Sequence, residues 1–299
     1  MPKDKTPMPW PVPPKGSKTG PRVPKLDKKE GEAPEVTLDT SRRTVHEIFE
    51  GAVDNARKEL ERPARALAFS GVAGGMTMGL TGMAVAITYA TVGHGRMQDF
   101  IAYLFYPIGF IAVIIGRAQL FTENTLYPVV LVLSELKYGW KTLRLWAIVL
   151  CANVVGAGIF AALAVRTGAL RPEYVHELTA LGVESATVKL SVIFWTGVVG
   201  GWLIALVAWM VTASHWTIGQ VVVIWLITFV VGLGHFAHCI AASGEILAAS
   251  FGHLIPFTAY LRWIGPAVAG NIVGGVTIVS LLNWGQVKEE AEQQKRDAA

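Results

Sequence analysis

Two stretches of this chain set polar, charged and imidazole groups inside otherwise apolar sequence. The first is Gly116-Arg117-Ala118-Gln119-Leu120-Phe121-Thr122-Glu123-Asn124, and the second runs from Gly234-His235 through His238-Cys239 to Glu245. Ionisable groups at membrane depth are costly, face a bundle interior or a wet cavity, and mark solute paths. Paired interruptions in corresponding positions of two halves point to a transporter's binding site. The chemistry on offer is that of a pore. An imidazole can exchange a proton near neutral pH, Thr122 and Asn124 can satisfy freed backbone groups, and Leu120-Phe121 is an apolar plug able to exclude water. No Ser–His pair, Asp–Asp pair or zinc motif is present, so neither an enzyme nor a bound cofactor is expected. His235 and His238 stand three apart, which one helical turn would bring to one face. No further Cys, Asp or Glu is arranged to complete a metal site, and none is expected.

The elements that must position these groups are membrane spans. Of 299 residues, 52% are hydrophobic and 16% charged, with a mean hydropathy of +0.44. Six apolar stretches lie near 68–92, 100–133, 143–165, 190–213, 219–250 and 264–284. A spanning helix needs about 20 residues, so the second and fifth are too long for one straight span and are expected to be broken. The fold class is therefore an all-α polytopic membrane protein. Residues 1–40, rich in Pro, Lys, Gly and Glu, are expected to be disordered. Residues 41–62 carry Val45, Ile48, Phe49, Ala52, Val53, Ala56 and Leu60 at helical spacing. They read as an amphipathic helix on the cytoplasmic membrane surface or under the bundle, or as a plain connecting helix. Residues 66–285 form the six-span domain and 286–299 a C-terminal tail.

The net charge of +4 is no nucleic-acid signal, because most Lys and Arg lie in the first 65 residues. Lys137, Lys141 and Arg144 follow the second span, and Lys288, Lys295 and Arg296 the sixth. The positive-inside rule then puts both termini in the cytoplasm, with Arg42 to Arg65 carrying most weight. No signal peptide is recognisable, so the first span is expected to target the chain to the membrane. Cys151 and Cys239 both fall within spans, and no structural disulfide is expected.

A shift of 118 positions pairs Gly79 with Gly197, Gly82 with Gly200, Gly116 with Gly234, and Asn153-Val-Val-Gly-Ala with Asn271-Ile-Val-Gly-Gly. Each half would hold three spans. An odd number turns the second copy over, giving an inverted repeat.

These residues carry a resemblance. Gln119-Leu120-Phe121-Thr122 resembles the Glu/Asp-Leu-Phe-Thr loop of the formate/nitrite transporter family. Phe236-Ala237-His238-Cys239-Ile240-Ala241 is similar to the segment around that family's central pore histidine, and the segments at Asn153 and Asn271 resemble its third and sixth spans. The likeness runs in order from about Phe69 to Trp284. It implies an aquaporin-like six-span protomer, a homopentamer in a bacterial inner membrane, and one pore per protomer for small monovalent anions. It also implies that His238 is the central histidine, facing Thr122 across the pore. Leu120 and Phe121 would form one constriction, with Phe110 and Val231 near the other. The sequence departs from the pattern at Arg117, Gln119, Glu123, Ala237 and Ala242. The family's vestibule Lys aligns near Ser185, one turn from Lys189.

The function expected is transport of a weak-acid anion of the formate, nitrite or hydrosulfide class, with His238 as proton donor. A neutral-solute or water pore is the second expectation, and a non-conducting scaffold that uses the basic tail is the third. Arg117 and Glu123 are expected either as a buried ion pair bracing the loop, with each other or with Glu245, or as vestibule charges along with Lys189.

Overall fold

A computed structural model describes residues 43–297; the tail at 1–40 lies outside them. Helix α1 (Val45–Glu61) opens on Thr44, whose side chain and Glu47 form a reciprocal cap. It buries Ile48, Ala52, Ala56 and Leu60, and packs under the bundle. Pro63 then starts α2 (Ala64–Val92), the first span.

The second span is made of α3 (Arg96–Tyr103) and α4 (Ile108–Ile115). Pro107 lacks the N–H that a continuous helix requires, so the two are joined by a bend. The bend frees the Leu104 carbonyl, which accepts the Trp225 indole N–H at 2.9 Å. Residues 116–122 fold back into the bundle, and after a single 3₁₀ turn at Glu123–Thr125 comes the short α5 (Tyr127–Ser134). Helix α6 (Gly139–Arg166) is the third span, and α7 (Pro172–Thr187) follows it. Then come α8 (Leu190–Ala213), α9 (Thr217–Leu233), a second returning loop, and α10 (Ala241–Phe251). Helix α11 (Phe257–Val273) widens over Gly274–Leu281 and continues as α12 (Leu282–Asp297).

Among the described residues, five helices are long and apolar enough to cross a membrane. The remaining span is the 17-residue α9, and beyond its returning loop α10 packs against α7, α6 and α2. Helix α7 was not expected from the sequence. Its Gly182 sits where any side chain would run into the Glu245 carbonyl, so it lies directly on α10.

The two halves repeat each other, but the register of the first span needs correcting. Gly71, Gly74 and Gly75 of α2 meet Asn153 and the first loop as Gly197, Gly200 and Gly201 of α8 meet Asn271 and the second. The α2–α8 shift is therefore 126, while the loops and the spans after them keep 118. Helix α2 ends five residues later than α8 in that register, and α3 starts three earlier than α9, which accounts for the difference of eight.

Close helix crossings depend on small residues. A methyl group at Gly156 would run into the Val72 carbonyl and Met76 amide of α2, whereas Gly158 meets only Leu247 Cδ1, at 4.0 Å. Gly156→Ala is therefore expected to cost about 1–3 kcal/mol and to lower the melting temperature in detergent, while Gly158→Ala leaves it in place. Equal melting temperatures would contradict this crossing.

Candidate functional site

Non-helical backbone at membrane depth persists only where its polar groups find partners. Two buried asparagines supply them here. Asn153 of α6 accepts the Phe121 N–H at 2.8 Å and donates to the carbonyls of Gln119 (2.8 Å) and Gly71 (2.7 Å). Asn271 of α11 repeats the pattern. It accepts the Cys239 N–H at 2.9 Å and donates to Ala237 and Gly197, both at 2.8 Å. Each amide thus pins one returning loop to its own helix and to the first span of its half. The sequence marked both positions as repeat members without identifying them as braces.

Each loop leaves its helix through a non-glycine residue in the left-handed region, Arg117 (φ 57°) and His235 (φ 50°). Gly116 itself is right-handed (φ −70°), so the unusual backbone falls one residue after the glycine. Such residues cost about 1–3 kcal/mol and persist where the surroundings determine them.

The loops meet at the centre. Thr122 Oγ1 lies 2.7 Å from His238 Nε2, with both side chains buried. The Ala241 N–H donates to His238 Nδ1 at 3.0 Å. Nδ1 is therefore an acceptor, the ring's proton sits on Nε2, and it is donated to Thr122. The Phe110 ring stands edge-on to the imidazole, centroids 4.9 Å apart. Val231 is fully buried and lines the cavity that reaches His238 from the α7 side, a space of about 240 Å³. Leu120 borders a second cavity of about 110 Å³ on the α1 side. Phe121 borders neither; its ring packs against Trp146 at 6.0 Å.

Several expectations change. His235 and His238 do not share a helical face, since 236–238 are not helical; His235 instead faces the Tyr103 hydroxyl at 3.4 Å. Among the described residues no metal-binding cluster forms, and both cysteines are free. Arg117 and Glu123 form no ion pair within 4.0 Å among the described residues, either with each other or with Glu245. Arg117 is exposed and Glu123 half-buried, and both line the α1-side cavity with Lys58 and Glu59. Bracing falls to Gln119, which donates to Glu59 at 2.8 Å and accepts from Asn124 at 2.9 Å. Lys189 lies in a side groove with Arg262, not in the cavity that reaches His238.

Residues 46–285 match the sequence model of a family described as formate/nitrite transporter. Inner membrane protein YfdC of Escherichia coli is 30% identical over 91% of this chain and 88% of its own length. Nitrite transporter NirC of Salmonella typhimurium is 24% identical, over 81% of this chain and 90% of its own. Among solved structures, one described as an FNT family ion channel superposes with a TM-score of 0.70 at 20% identity, covering 81% of this chain and 98% of that one. A pentameric formate channel with formate bound gives 0.61 at 20% identity, covering 74% and 96%. That likeness establishes the aquaporin-like six-span fold with its inverted repeat.

Removing either brace would strand the loop's N–H and C=O at membrane depth, at about 1–3 kcal/mol each, and cut its tie to the first span of its half. Asn153→Ala and Asn271→Ala are expected to lower the thermal midpoint in detergent far more than Asn283→Ala, which loses one bond to the Val279 carbonyl. Three equal midpoints would contradict the brace.

Proposed function

The chain belongs to the formate/nitrite transporter family, and on that premise we propose that it conducts a small monovalent weak-acid anion of the formate, nitrite or hydrosulfide class. The observation that carries the reading is the buried Thr122–His238 contact, with one cavity leading to it and another on the α1 side of the loops. A bare anion pays heavily to enter an apolar constriction. At this one the Nε2 proton is shared with the Thr122 oxygen, which leaves the Thr122 hydroxyl proton free to be donated to a passing solute. Val231 and Leu120 line the approaches, and Phe110, which borders neither cavity, closes one flank of the imidazole; together they exclude water. His238 is the central donor in the hydrogen-bond sense, and Thr122 is the group through which it acts.

The protein is a transporter and not an enzyme. It works as a homopentamer in a bacterial inner membrane, with one pore in each protomer, as supported by the pentameric formate channel of the same fold and the inner membrane relative. Apolar side chains exposed on its flanks, among them Phe69, Trp195 and Leu226, suit lipid or neighbouring protomers. Both termini face the cytoplasm, so the α1 side is the inner mouth and the α7 side the outer one. The chain divides as 41–62, an amphipathic helix closing the inner mouth, 66–285, the pore domain, and 286–299, the tail. Arg117 and Glu123 are charges of the inner vestibule.

Uptake of formate, nitrite and hydrosulfide into proteoliposomes tests the reading. His238→Ala should cut flux by about 10–100-fold, the worth of one lost donor in a water-poor site. Flux that survives the substitution unchanged would remove His238 from the pathway. No flux of any of the three from folded wild-type protein would overturn the transport reading for this class.

A further inference from the structure

The cavity on the α7 side carries an unusual charge for a mouth that admits anions. Two carboxyl side chains line it, Glu184 and Glu245, and no Lys or Arg does. Glu184 is exposed at the rim. Glu245 is only 8% exposed, and among the described residues its carboxyl has no hydrogen-bond or ion-pair partner. Space is cleared for it. A Cβ at Gly82 of α2 would stand 2.7 Å from Glu245 Oε1, and Gly182 of α7 lies against its carbonyl.

The titratable groups facing Glu245 are Glu184 from α7, Tyr103 and Tyr106 from the α3–α4 bend, and His235 and His238 from the returning loop. The other packed helices are differently engaged. Tyr260 of α11 bonds Ser243, and Arg166 of α6 donates to the Phe251 carbonyl at the far end of α10. A second chamber shares Tyr103, Glu184 and His235 with the first and adds two more proton-exchanging pairs. In these, Tyr89 donates to Asp99 at 3.1 Å, and His94 meets Glu177 at 2.9 Å. A series of exchangeable groups therefore runs from the exposed His94 to the centre. His238 has no proton to spare: its Nδ1 is taken by the Ala241 N–H, and surrendering the Nε2 proton would leave an imidazolate.

We propose that Glu245 protonates the weak-acid anion in this vestibule, so that the solute enters the constriction as the neutral acid; the inference rests on the transport reading above. In the step the Glu245 carboxyl O–H bond breaks and an O–H bond forms on the solute's anionic oxygen, leaving Glu245 as the carboxylate. A proton from bulk water restores the carboxyl by way of Glu184 and His235. The acid gives its proton to water on the far side, so one proton crosses with each anion. No electrons move between the partners. Thr122 and His238 then hydrogen-bond a neutral passenger, and the acidic lining disfavours entry of a second bare anion.

The test uses formate and the full chain in proteoliposomes, with a pH-sensitive dye trapped inside. Wild-type uptake should acidify the lumen and hold nearly level as the external pH rises. In Glu245→Gln the only neutral acid is that already formed in bulk, so flux should fall about tenfold per pH unit above the solute's own pKa. Glu245→Asp should restore the wild-type profile. A Glu245→Gln profile that superimposes on the wild type overturns the proposal. So does a gain of flux at high pH, which would make Glu245 a simple electrostatic barrier. Should Glu245→Gln fail to fold, Glu184→Gln carries the test: a displaced pH profile supports the relay, and an unmoved one overturns it. Wild-type protein that carries no formate, nitrite or hydrosulfide overturns the transport reading itself, and this proposal with it.

Discussion

Everything at the centre of this protein depends on two asparagine side chains saturating backbone groups that no helix satisfies. A chain that turns back inside a membrane exposes N–H and C=O groups where water is scarce. Asn153 and Asn271 each meet this demand with one acceptor and two donors, all used. The amides also tie each loop to a glycine-lined helix, where Gly75 and Gly201 admit the asparagine backbone at contact distance. The loops are held rigidly enough for Thr122 and His238 to meet at 2.7 Å from opposite halves.

This geometry divides the labour between centre and mouth. The centre is buried and nearly saturated: both ring nitrogens of His238 are engaged, and Phe110 closes one flank. What remains to a solute there is a hydroxyl proton and an apolar collar. The mouths hold the variable charge. On the α1 side Lys58, Arg117, Glu59 and Glu123 balance one another in number, while on the α7 side Glu184 and Glu245 stand without a cation in the cavity lining. Charge at a mouth alters which form of a weak acid approaches, and charge at the centre would alter whether it passes.

The spans and both interruptions were legible because hydropathy over about 20 residues and a break in it are strong signals. That His238 and Thr122 face each other was expected from family likeness alone, and the two side chains meet at 2.7 Å. The register of the first span was not. Helix α2 carries Gly71, Gly74, Gly75, Gly79 and Gly82, so several shifts align glycine with glycine, and only the partner across the crossing selects one. Helix α7 escaped notice because it covers the vestibule with mixed polar and apolar residues and presents no long apolar stretch. The supposed pairing of Arg117 with Glu123 was a one-dimensional inference. The left-handed turn at Arg117 leaves its side chain exposed, and the loop's own amides do the bracing. Glu245 stood in the sequence as a partner for that pair, yet it faces the other cavity.

The central claim is that solute passes between Thr122 and His238. It is tested most directly by Thr122→Cys in a background of Cys151→Ser and Cys239→Ser, in proteoliposomes exposed to a small thiol reagent. The account predicts that modification of this one cysteine stops formate flux, and that saturating formate slows the modification. Flux that continues undiminished with the cysteine fully modified would contradict it.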